Sequence, residues 1–79
     1  MTTKERRELL REEVVKKYER YKYKAAVAYQ RGEISADDLR MRKKFLTREA
    51  NIRLAEIDQM PYGKLRREFE KLMKKNESQ

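Results

Sequence analysis

Apolar residues recur along this chain at intervals of three and four, the period of one face of an α-helix. Leu10, Val14, Tyr18, Tyr21, Ala25 and Ala28 form one such stripe; Leu39, Leu46, Ala50, Leu54 and Ile57 form a second. Leu65, Phe69, Leu72 and Met73 repeat the pattern over a shorter third stretch. The spacing predicts helices over residues 3–31, 36–58 and 62–75, with residues 76–79 a frayed polar tail. No internal repeat, low-complexity tract or Pro/Gly/Ser-rich linker divides the sequence, so residues 1–79 read as a single all-α domain.

Local chemistry marks the helix ends. In Thr2-Thr3-Lys4-Glu5 a Thr hydroxyl can cap the first helix, and Gly32 supplies the left-handed conformation that stops it. Ser35 then caps the second, with Asp38 at its third position and Ile34 placed to staple against Leu39. A first rod of about 43 Å at 1.5 Å per residue is therefore expected to fold back on a second as a long antiparallel hairpin. Gly32-Glu33-Ile34-Ser35-Ala36-Asp37-Asp38-Leu39, with Lys43, Lys44 and Leu46 beyond, resembles the short C-terminal hairpin motif called SHOCT, over residues 32–46 only. Pro61 ends the second helix. Met60-Pro61-Tyr62-Gly63 fits a type I turn, and Pro61 fits a first helical turn equally well.

Each long helix carries a second apolar group nearly opposite its main stripe: Leu9, Tyr23 and Val27 on the first, Met41, Phe45 and Ile52 on the second. Phe45 and Ile52 lie seven apart, a coiled-coil interval. Tyr23, Val27, Met41, Phe45 and Ile52 are therefore expected at a homodimer or partner interface, unless the third helix covers them.

Composition narrows the chemistry. With no Cys and no His among 79 residues, the usual zinc ligands and the Ser-His and Cys-His nucleophile pairs are missing. Neighbouring acids such as Glu12 with Glu13, or Asp37 with Asp38, point about 100° apart on a helix and do not converge. No enzymatic activity, catalytic residue, cofactor or metal is expected. The longest apolar run, residues 25–29, is far short of the roughly 20 residues that span a bilayer, and the charged N-terminus carries no visible secretory signal. The expected location is cytoplasmic, or intracellular more broadly, without membrane association.

Twenty-two Lys and Arg against fourteen Asp and Glu leave a net charge of +8, which favours polyanionic partners because bound phosphates release counterions. Residues 16–24 hold five cations and three tyrosines, and Arg40 through Arg48 form a basic midsection on the second helix. The expected phosphate contacts are Lys16, Arg20, Lys24, Arg40, Arg42, Lys43, Lys44 and Arg48, joined by Lys64, Arg66 and Arg67 of the third helix. These features point to a small basic accessory protein that binds nucleic acid, DNA ahead of RNA. The alternative is an inhibitor or adaptor that binds an acidic protein surface. A plainer role for some cations is also open: Glu12 can pair with Lys16 and Glu13 with Lys17, each at the favourable four-residue spacing.

Overall fold

The computed structural model describes residues 1–77 and is all-helical: α1 (Thr3–Gln30), α2 (Ala36–Asp58) and α3 (Tyr62–Glu77), with no strand among the described residues. Each junction follows from its sequence. Thr2 Oγ1 accepts from the Glu5 amide at 3.1 Å and donates to the Glu5 carboxylate, satisfying an orphan N–H of the first turn. At the far end of α1, Gly32 adopts φ +77°. The Gly32 amide donates to the Tyr29 carbonyl and the Glu33 amide to the Ala28 carbonyl, the paired bonds of a Schellman stop. Ser35 Oγ then accepts from the Asp38 amide at 3.1 Å and starts α2.

The second junction departs from the turn pattern. Tyr62 and Gly63 are already helical, and the first bond of α3 runs from the Leu65 amide to the Pro61 carbonyl. Gly63 therefore needs no left-handed conformation. At the other end α3 continues through Asn76 and Glu77, beyond the expected start of fraying; Ser78 and Gln79 lie outside the described residues. The two glycines should thus respond oppositely to alanine, since a Cβ meets open space at both. Gly63→Ala is expected to stabilise the chain by about 0.5–1 kcal/mol through helix propensity. Gly32→Ala should destabilise it by about 1–2 kcal/mol through left-handed strain. Urea unfolding followed by circular dichroism measures both, and shifts of the same sign would contradict the junction geometry.

α1 is the central helix: α2 and α3 both pack against it and touch each other only marginally. The radius of gyration is 15.4 Å, against about 11.6 Å for a compact domain of this length, and the principal extents are 45 × 28 × 14 Å. So thin a molecule buries little. Leu10, Ile57, Met60 and Leu65 form one cluster where the three helices meet, with Val14 and Leu72 packed against it. Higher on α1 only Ala25 is fully buried. Tyr21, on the main stripe, stays 40% exposed, because the short α3 ends before it reaches that level.

Contacts between α1 and α2 run in opposite order along the two helices. Arg7 donates to the carbonyls of Ile57, Asp58 (3.0 Å) and Met60 (3.4 Å), and Arg11 meets the Asp58 carboxylate at 2.6 Å. Farther along, Tyr18 and Lys22 share a hollow with Thr47 and Ala50, and Lys24 and Ala25 share one with Met41 and Arg42. α2 has no basic residue in its own last turn. Arg7 supplies that cation from α1, placing guanidinium donors on carbonyls at the negative end of the helix dipole.

Candidate functional site

All eleven cations expected to contact phosphate are solvent-exposed. Among the described residues only two of them are ion-paired: Arg66 with Glu70 at 3.3 Å, and Arg40 with Asp37 at 3.9 Å across a highly exposed gap. A pair of the latter kind contributes almost nothing in water. Neither Glu12–Lys16 nor Glu13–Lys17 forms an ion pair among the described residues, so internal neutralisation does not account for those lysines.

Charge is unevenly distributed along the fold. Residues 14–48, the half of α1 and α2 nearest Gly32, hold eleven Lys and Arg against four acids, a surplus of seven out of the chain's eight. The half around the core, including all of α3, is nearly neutral.

The structure sorts ten of the eleven candidate cations into three groups, while Arg40 stands apart beside Asp37 near the start of α2. Lys16, Arg20 and Lys24 recur every four residues on one flank of α1, each about 6 Å above the last. Lys24 and Arg42 rim an apolar groove floored by Tyr21, Ala25, Met41, Phe45 and Leu46. Below it, Arg20 opens onto a cleft between the helices that is also lined by Lys17, Arg53, Lys71 and Lys75, against Glu13 and Glu68. The second group, Lys43, Lys44 and Arg48, lines a separate hollow on α2. Arg42 and Lys44 lie about 160° apart around that helix. The third group, Lys64, Arg66 and Arg67, surrounds buried Leu65 beside Leu10, whereas Lys24 lies about 21 Å farther along α1.

Helix α3 therefore meets the basic half through its last turns. Lys71 and Lys75 share the cleft with Lys17 and Arg20, a convergence that sequence spacing does not reveal, since Lys75 in the last turn already suits the dipole and Lys71 pairs with Glu68 one turn earlier. Lys17 also lies over the Tyr21 ring at 5.9 Å, and Tyr21 meets Tyr18 edge-on at 5.7 Å.

The apolar candidates divide as well. Tyr23, Met41, Phe45 and Ile52 are exposed and Val27 is half-buried. Tyr23 and Val27 point about 160° from Ala25, away from α2, while Ile52 points about 160° from Leu54, away from α1. Tyr23 and Val27 therefore lie on the opposite side of the α1–α2 pair from Ile52, while Met41 and Phe45 border the groove shared with Tyr21 and Ala25. α3 covers neither the Met41, Phe45 and Ile52 stripe nor Tyr23.

Among the described residues no three acids gather as a metal site requires, and no helix is long and apolar enough to cross a membrane. No family model, curated protein or solved structure matches the chain.

Proposed function

We propose that this chain is a small, non-enzymatic nucleic-acid-binding accessory protein, built as a long antiparallel helical hairpin with α3 buttressing its base. The observation that carries the reading is the concentration of seven surplus charges in residues 14–48, on exposed side chains that acids of the same chain leave largely unpaired. A chain that needed charge only for solubility would gain nothing from segregating it. The cations of the α1 flank, Lys16, Arg20 and Lys24, with Lys75 of the adjoining cleft, form the track on which a phosphate backbone would lie. Contacts of this kind hold a strand without reading its bases, so binding is sequence-tolerant.

Salt dependence tests the reading. With four phosphates engaged, the logarithm of affinity should fall against the logarithm of salt with a slope of about −3.6 on duplex DNA, a loss of roughly a hundredfold between about 50 and 200 mM. A polarisation titration against duplex DNA, single-stranded DNA and RNA of several sequences measures it. The groove between Lys24 and Arg42 favours one second reading, an acidic protein surface as partner. That reading gains if no free oligonucleotide binds even at the lowest salt, an outcome that removes the first.

A further inference from the structure

Met41, Phe45 and Ile52 are 70%, 61% and 49% exposed and share the outer side of α2 by helical repeat, Met41 and Phe45 also bordering the groove that Tyr21 and Ala25 of α1 help to line. Joined by Arg48 and Ala55, they recur at intervals of four, three, four and three, the seam of a two-helix coiled coil. We propose that this seam is covered by a second copy of the chain, with the two α2 helices antiparallel about a two-fold axis between Leu46 and Thr47.

The charge pattern of α2 selects both partner and direction. Residues 36–48 carry five cations and two acids, and residues 49–58 carry one cation and three acids. A parallel pairing sets the positive half against its own copy and stacks Arg48 on Arg48. An antiparallel pairing sets each positive half against the partner's Glu49, the acid of residues 49–58 that is left over once Arg11 holds Asp58 and Arg53 holds Glu56. Met41 then meets the partner's Ile52, and Phe45 meets the partner's Arg48, a cation over an aromatic ring. On one edge of the seam Arg42 comes within reach of the partner's Glu49, and two-fold symmetry repeats that pair. One helix face is smaller than the about 800 Å² per partner of a standard interface, so the dimer dissociates on dilution. This pairing needs no nucleic acid and stands independently of the proposed function.

Because the chain has no cysteine, cross-linking can test it directly. Met41→Cys and Ile52→Cys chains, mixed and oxidised, should form a disulfide between unlike chains. Ile52→Cys alone should not, because the two copies of position 52 are about 16 Å apart in this register. Light scattering should show dimer giving way to monomer on dilution, and Phe45→Glu should be monomeric throughout. Arg42→Glu should weaken the dimer roughly tenfold, and Arg42→Glu with Glu49→Arg should restore it. A wild-type monomer at the highest concentration overturns the proposal. Rapid self-cross-linking of Ile52→Cys overturns the antiparallel register.

Discussion

Leu65→Ala is expected to leave most of the chain unfolded at 25 °C. Leu65 is fully buried and, with Leu10, Ile57 and Met60, makes up the cluster in which all three helices meet. Truncating a buried leucine costs about 2–5 kcal/mol, transfer and cavity together, while the core of a chain this small rarely supplies more than about 3–5 kcal/mol. Because α2 and α3 scarcely touch, loss of Leu65 releases α3 from α1 with little to hold it elsewhere. The helical signal at 222 nm and a urea titration measure the effect. Leu65→Met, which keeps the volume, should cost less than about 1.5 kcal/mol and refold normally. A Leu65→Ala melt within about 1 kcal/mol of the parent would mean that the stability resides in the α1–α2 contacts instead.

The features legible in the sequence are those whose chemistry is local. Thr2, Gly32 and Ser35 act on amides and carbonyls within a few residues, so their types and spacing suffice to place three helix ends. Features decided by packing were hidden. Met60, within the expected turn, is 5% exposed because α3 folds its chain segment back onto Leu10 and Ile57. Arg7 looks like one cation among many, and only the fold brings it to carbonyls fifty residues away. The periodicity of α3 shows that one side is apolar but not which helix will receive it. Its choice of α1 leaves the second stripe of α2 open and puts Lys71 and Lys75, rather than Lys64, Arg66 and Arg67, beside Arg20.

That division of the cations yields the sharpest functional contrast. Arg20→Glu with Lys24→Glu should weaken nucleic-acid binding by about a hundredfold and flatten its salt slope by about two. Lys64→Glu with Arg67→Glu should change affinity by less than about threefold. Each pair takes the net charge from +8 to +4, so a mechanism driven by total charge predicts equal losses. Distance separates the two cases. Arg20 and Lys24 lie about 15 and 21 Å along α1 from Leu10, the level of Leu65 and its neighbours. At physiological salt the screening length is about 8 Å, so a charge at the base is felt only weakly along the flank. None of the four replaced residues is ion-paired among the described residues, so helicity should be unchanged. Equal losses from the two variants would move the contact surface away from the α1 flank and leave only diffuse attraction.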